Sequence, residues 1–249
     1  MQLCQWGEAM KCIILAAGYA TRLYPLTENF PKPLLSVGGK PILDWLIDDL
    51  KDEADEFIVV TNHKFANIFS EWAAEKEHIC ILDDGTETNE TRLGAVKDIE
   101  LASRGIDDDV FVMAGDNVLD FSLVPFIRFA REKGTSCVMC HEENELKRQQ
   151  KTAIITVDDS ARITSYEEKP QVPKGNLAVP PFYYYRRGDL NRIPEALDSG
   201  CGYDAPGSYA AWLSGKTTMH AWKMPGNRYD IGDMKSYEAV RDRFIGAIR

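Results

Sequence analysis

Two hydrophobic periodicities alternate along the first half of the chain. KCIILAA (11–17) and FIVVT (57–61) are apolar, β-branched runs of strand length. Between them, PILDWLIDDLKDE (41–53) sets Ile42, Leu43, Leu46, Ile47 and Leu50 at helical spacing, with Pro41 at a first helical position. FANIFSEWAAEK (65–76) repeats the helical pattern through Phe65, Ile68, Phe69 and Trp72. ICIL (79–82) then predicts a strand, RLGAVKDIELAS (92–103) a helix and VFVMA (110–114) a further strand.

Strands that alternate with helices of about 10–15 residues imply parallel βαβ units. The fold class expected is therefore α/β, a Rossmann-like layered mixed sheet flanked by helices. In the second half, strand signals crowd together at 135–140, 153–157, 162–168, 178–185 and 217–223, with a hairpin turn at Asp158-Asp159-Ser160. Helical signals return near 204–214 and 233–247. No linker, repeat or low-complexity stretch divides the halves. The pattern predicts one domain over 10–249 with an elaborated second half. Residues 1–9 are expected to be an N-terminal extension, because Met10 opens the first strand.

Charge narrows the classes of partner. A formal net charge of −10 over 249 residues argues against nucleic acid and against a polybasic membrane contact. Phosphates can still bind if the few cations converge in one cleft. No apolar run approaches the ~18 residues of a membrane span, and MQLCQWGEAM lacks the basic and apolar regions of a signal peptide, so a cytoplasmic protein is expected. Cys137-Val-Met-Cys140-His141 fits a haem-attachment spacing, but it lies in an apolar strand-like run, and buried free thiols are expected there.

The loop after the first strand carries the clearest chemistry. Neither the dinucleotide glycine fingerprint nor the Walker A pattern is present in LAAGYATRLYPLTENFPKPLL (15–35). Small residues at Ala16, Ala17, Gly18 and Ala20 let backbone N–H groups approach an anion, and Leu15 leads into them. Arg22 adds a planar fork for phosphate oxygens and Lys32 a movable point charge. Pro25, Pro31 and Pro33 stiffen the segment.

This stretch resembles the signature of the sugar-phosphate nucleotidyltransferases, the nucleoside-diphosphate-sugar pyrophosphorylases. Gly18, Thr21, Arg22, Leu23, Pro25, Thr27, Pro31, Lys32 and Pro33 match it, and Ala20 stands where the family has a second glycine. The resemblance continues at Gly115-Asp116-Asn117 and at Tyr229-Asp230-Ile231-Gly232, implying that Asp116 and Asp230 hold Mg²⁺. Glu167-Glu168-Lys169-Pro170 resembles the acceptor motif, with Lys169 holding the attacking phosphate and Glu168 accepting from hydroxyl or amine groups. Thr91-Arg92-Leu93-Gly94-Ala95 resembles the loop under the base and assigns Gly94 to it, beside Leu15 to Gly18.

The resemblance implies a Mg²⁺-dependent transfer of NMP from an NTP, with a pyrimidine base preferred, to a phosphorylated acceptor. The acceptor expected is a sugar 1-phosphate, and the product an NDP-sugar with release of pyrophosphate. The resemblance also assigns the first half of the domain to the nucleotide and the second half to the acceptor. It implies Arg22 and Lys32 as the catalytic cations, Arg22 on the triphosphate and departing pyrophosphate and Lys32 on the α-phosphate and incoming phosphate. A homo-oligomer is compatible with this. Two sugar-side glycines of the family are missing, in Lys151-Thr152-Ala153-Ile154 and in Pro181-Phe182-Tyr183. That leaves a CTP-dependent cytidylyltransferase of a non-sugar phosphate or phosphonate as the alternative.

Overall fold

A computed structural model describes residues 10–246, so the expected extension over residues 1–9 lies outside the described residues. The first apolar run forms β1 (Met10–Leu15). A small hairpin, β2 (Ser36–Val37) and β3 (Lys40–Pro41), precedes α1 (Ile42–Leu50), β4 (Ala54–Thr61), α2 (Ala66–Ala73) and β5 (Ile79–Asp83). Then come α3 (Ala95–Ser103), β6 (Val110–Ala114), β7 (Asn117–Leu119), α4 (Val124–Lys133) and β8 (Ser136–Glu142). The second half holds α5 (Leu146–Gln149), β9 (Ala153–Val157), β10 (Ile163–Glu168), β11 (Leu177–Val179) and β12 (Phe182–Tyr185). It closes with α6 (Arg187–Leu190), α7 (Ile193–Asp198), α8 (Pro206–Ser214), β13 (Met219–Lys223), β14 (Arg228–Asp230) and α9 (Met234–Arg241).

One mixed sheet runs in the order β10-β9-β11-β8-β12-β6-β1-β4-β5, with β13 also paired to β8. The part of it built from the first half of the chain is parallel, β1 lying between β4 and β6 and β4 beside β5. Alternation along each strand divides the core between the two faces. Cys12, Ile14, Phe111 and Met113 pack with Leu43 of α1, Phe69 of α2 and Phe126 of α4. Ile13, Val110 and Val112 face the other way, onto Val96 of α3, Ile193 of α7 and Tyr209 of α8. Helices on both faces explain why these strands read as unbroken apolar runs rather than alternating ones.

The apolar run at 178–185 does not form one strand. Pro180 and Pro181 have no N–H to donate to a ladder, and they part β11 from β12. Ala178 pairs with His141 and Tyr183 with Val138, so the proline pair bulges out opposite β8. The bulge hands the chain from β9, the partner of β11, to β6, the partner of β12. The helix expected over 233–247 starts on a reciprocal cap between Asp233 and Ser236 and ends at Arg241. Cys137 and Cys140 are buried in β8, where burial pushes each thiol up to about 11, as inert strand cysteines rather than a haem attachment.

A third, smaller core positions the site. Leu23, Leu35 and Val37 of the signature segment pack with Val118 of β7 and with Ile231, Tyr237, Val240 and Phe244 near the C-terminus. It clamps the signature loop against the segment that carries Asp230. Among the described residues, no helix is long and apolar enough to cross a membrane.

Candidate active site

The carboxyl ends of the neighbouring strands β1 and β6 deliver the signature loop and Gly115-Asp116 to one place. The Gly115 N–H donates to the Leu15 carbonyl at 3.0 Å, and the Ala16 N–H to the Val60 carbonyl at 2.9 Å. Buried Asn62 holds the loop from behind, donating to the Ala17 carbonyl at 2.9 Å and accepting from the Phe65 N–H at 3.1 Å. Ala20 adopts a left-handed backbone with φ 47°, and its carbonyl accepts from the buried Thr27 hydroxyl at 2.8 Å. Leu23 is driven into the third core, which leaves Arg22 exposed beside it. A cavity of about 240 Å³ results, with Ala16, Gly18, Arg22, Lys32 and Asp116 in its wall.

Lys32 is the centre of this wall. Its Nζ lies 2.6 Å from Asp116 Oδ2 and donates to the Ile231 carbonyl at 2.8 Å, with the side chain only 12% exposed. The second carboxylate arrives through a two-stranded ladder, in which β14 pairs antiparallel with β7 and Asp230 stands opposite Asn117. The Ile231 N–H also donates to the Asp116 carbonyl at 3.3 Å. Two aspartates far apart in sequence thus become neighbours. Arg22 reaches the same turn, for a side-chain carbon added to Gly232 would lie 3.6 Å from an Arg22 nitrogen.

The donor set fits a magnesium ion. Mg²⁺ takes oxygen ligands and is usually held by one or two carboxylates, with water and substrate phosphates completing the octahedron. Asp116 and Asp230 supply two carboxylates, and the Asp230 side chain is 54% exposed. Among the described residues no cluster of three or more His, Cys, Asp or Glu forms a closed metal cage, so substrate oxygens would have to complete the shell.

A second cleft, about 1420 Å³, meets the first along Leu15, Ala114 and Asp116. Ala95, Asn117, His141, Thr152, Pro181, Arg228 and Asp230 are among its lining residues. Both positions that lack the family's sugar-side glycine, Thr152 and Pro181, therefore face this cleft.

The remaining expected residues occupy its flanks. Gly94 takes φ 95° at the start of α3, where a Cβ would meet the Tyr203 carbonyl oxygen at 2.7 Å. A glycine is required there for backbone approach, and it is the next residue, Ala95, that reaches the cleft. Glu168 ends β10 with Oε2 buried and without a hydrogen-bond partner, and burial raises its pKa. A Cβ on Gly207, at the start of α8, would lie 2.5 Å from that oxygen. Lys169 holds a left-handed backbone with φ 48°, its N–H donating to the Thr152 carbonyl at 3.1 Å. Neither Glu168 nor Lys169 lines the large cleft.

Three residues without a role in the sequence analysis join the centre. Asn117 donates from Nδ2 to Asp116 Oδ1 at 2.6 Å, and its Oδ1 accepts from Arg228 Nη1 at 2.5 Å. Arg228 Nη1 also lies 3.7 Å from Asp230 Oδ2. His141 lines the cleft with a buried, unpartnered Nδ1, and burial and then the Arg228 charge lower its pKa. Arg228 and Asp230 are two residues apart on β14 and share a face, a relation that a three-residue strand is too short to show as a period in the sequence.

Comparison with known proteins identifies the family. Residues 11–244 match the Nucleotidyl transferase family. The chain is 29% identical over 236 residues to the UTP–glucose-1-phosphate uridylyltransferase AglF of Haloferax volcanii, covering 94% of this chain and 96% of that one. It is 24% identical over 250 residues to a UTP–glucose-1-phosphate uridylyltransferase of Synechocystis, covering 93% of this chain and 63% of the relative. Among solved structures, a Bacillus anthracis protein provisionally assigned as a glucose-1-phosphate thymidylyltransferase superposes with a TM-score of 0.82 at 22% identity, covering 97% and 98% of the two chains. The signature loop, the Asp116–Asp230 junction and the matched span lead to one conclusion: this chain belongs to the nucleotidyl transferase family.

Proposed function

We propose that the protein transfers a nucleoside monophosphate from an NTP, with a pyrimidine base preferred, to a sugar 1-phosphate, releasing pyrophosphate and an NDP-sugar. The observation that carries this reading is the position of Asp116. It stands where the cavity of Arg22 and Lys32 meets the larger cleft, so a phosphate there has the two loop cations on one side and, on the other, a cleft with room for a base beside Ala95 and for an acceptor. The relatives named above favour a sugar acceptor over the CTP-dependent, non-sugar alternative.

An acceptor phosphate is anionic at neutral pH and is itself the nucleophile. No general base and no covalent enzyme intermediate is required. Its oxygen forms a bond to the α-phosphorus in line, the bond to the β-phosphate oxygen breaks, and the electron pair leaves with pyrophosphate. The chain's work is positioning and charge stabilisation. Backbone from Leu15 to Gly18 cradles the nucleotide, and Gly94 with Ala95 floors the base. Arg22 neutralises the departing pyrophosphate, and Lys32 the α-phosphate. Asp116 and Asp230 would hold Mg²⁺, which supplies Lewis-acid stabilisation of phosphate charge when bound. Glu168 would accept from acceptor hydroxyls and Lys169 would lie near the acceptor's phosphate, in a protein acting in the cytoplasm.

Pyrophosphate release with Mg²⁺, crossing UTP, dTTP, CTP, ATP and GTP against sugar 1-phosphates, phosphocholine, glycerol phosphate and an aminophosphonate, tests this. Turnover with a sugar 1-phosphate and UTP or dTTP supports the reading. Turnover only with CTP and a non-sugar acceptor overturns the acceptor, and no turnover with any pair overturns the reaction.

A further inference from the structure

We propose that Arg228 is a third catalytic cation, the group that grips the phosphate of the acceptor while Arg22 and Lys32 serve the nucleotide. This rests on the nucleotidyl transfer reading and assigns the attacking side of it. The reaction brings an acceptor phosphate against an α-phosphate that is already negative. Their repulsion must be offset on the acceptor side as well as on the leaving side. Arg22 and Lys32 line the small cavity beyond Asp116 and do not line the large cleft.

Four cations do line the large cleft: Arg148, Lys151, Lys223 and Arg228. Lys223 is tied to Glu142 at 2.6 Å, and Arg148 to Glu145 at 2.9 Å with Glu143 at 3.7 Å. Lys151 is exposed, on the segment between α5 and β9. Arg228 is different. Its side chain is 19% exposed, and one guanidinium nitrogen is fixed by Asn117, the residue that also holds Asp116. That bond to Asn117 occupies Nη1. Its Nε and Nη2 have no protein acceptor within hydrogen-bond distance among the described residues, so an edge of the fork remains for a phosphate.

The surroundings favour an anion there despite the neighbouring carboxylates. Asp230 is the nearest, 3.7 Å from Nη1, and Asp116 lies one hydrogen bond further through Asn117. Both are the carboxylates assigned to the metal, so a bound divalent cation would offset their charge. His141, beside Arg228, is held toward its neutral form by burial and by the arginine, so the positive charge at this wall is the arginine's own. Lys169, the acceptor cation implied by the resemblance, does not line the cleft, whereas Arg228 does.

The test is a full kinetic comparison of wild type, Arg228→Met and Arg228→Lys, using the sugar 1-phosphate and NTP that turn over best in the wild type. Arg228→Met removes the charge while keeping a long side chain. The expected result is a KM for the sugar phosphate raised by about 30-fold or more, with the KM for NTP changed by no more than about twofold. Arg228→Lys recovers part of the loss, because the charge returns without the fork. Mn²⁺–NTP binding and the melting temperature of Arg228→Met stay near wild type.

An unchanged KM for the sugar phosphate overturns the assignment. A parallel rise in both KM values with weakened Mn²⁺–NTP binding also overturns it, since Arg228 would then only brace β7 against β14. A wild type without turnover on any pair fails at the reading beneath, and the assignment falls with it.

Discussion

Lys32 Nζ and Asp116 Oδ2 lie 2.6 Å apart across the junction of the two cavities, and the same ammonium group holds the Ile231 carbonyl at 2.8 Å. The contact joins the signature loop to the segments that carry Asp116 and Asp230. A preorganised cation at this point can stabilise phosphate charge without reorganising during the reaction. Replacing Lys32 with Ala, or Asp116 with Asn, is expected to lower kcat by ~10²-fold or more. Single-turnover rates on folded variants check this, and near-normal turnover in either would remove that residue from the mechanism.

Ala20 holds a left-handed backbone, φ 47°, that an alanine side chain disfavours. The position is the one where the family carries its second glycine. Ala20→Gly is therefore expected to be stabilising by up to about 1 kcal/mol, the relief of strain exceeding the extra entropy of an unfolded glycine. The shift of the denaturation midpoint in urea measures it, and a clear loss of stability would contradict it.

Gly94 makes the opposite case. Its φ is 95°, and a Cβ would press to 2.7 Å from the backbone carbonyl oxygen of Tyr203. The neighbouring amides of Ala95 and Val96 donate to the Asp204 and Tyr203 carbonyls at 3.3 and 2.9 Å, so that loop has little freedom to retreat. Gly94→Ala is expected to cost ~1–3 kcal/mol in stability, as backbone strain of this kind does. It should also raise the KM for NTP. An unchanged melting temperature would show that the 203–204 loop yields.

Asp98 on α3 is only 5% exposed, with Oδ1 buried and unpartnered. Burial, and then the charge of Asp84, push its pKa from 3.8 up to about 7. The folded protein therefore keeps a proton that the unfolded chain has already lost between these values. Stability is fullest below the unfolded pKa and falls as pH rises through the folded one, levelling off above it. Asp98→Asn removes this slope, so its melting temperature should gain on the wild type between pH 5 and pH 8. Parallel curves across that range would contradict the expectation.

Much of the site was legible because its residues sit in short contiguous motifs. Gly18, Arg22 and Lys32 fall within one stiff loop, and Asp116 follows an apolar run whose burial on both faces made β6 plain. What brings Asp116 and Asp230 together was not legible. β7 and β14 are three residues each, too short for a period to show, and their pairing is fixed by the third core around Val118 and Ile231. Arg228 is hidden in the sequence for the same reason. The break at Pro180-Pro181 was written in the sequence, yet the apolar residues on either side outweighed it in reading one strand. The resemblance makes Gly94 a surface for the base, whereas its geometry also answers to the Tyr203 carbonyl, a contact no local pattern reveals.

The most direct measurement follows the label from position-specific NTP. The enzyme is incubated with Mg²⁺, a sugar 1-phosphate and UTP carrying ³²P at either the α or the γ position. Nucleotidyl transfer predicts that the α label enters the NDP-sugar and the γ label enters pyrophosphate. A γ label on the sugar phosphate, or an α label left in free UMP or UDP while the sugar phosphate is untouched, would contradict it.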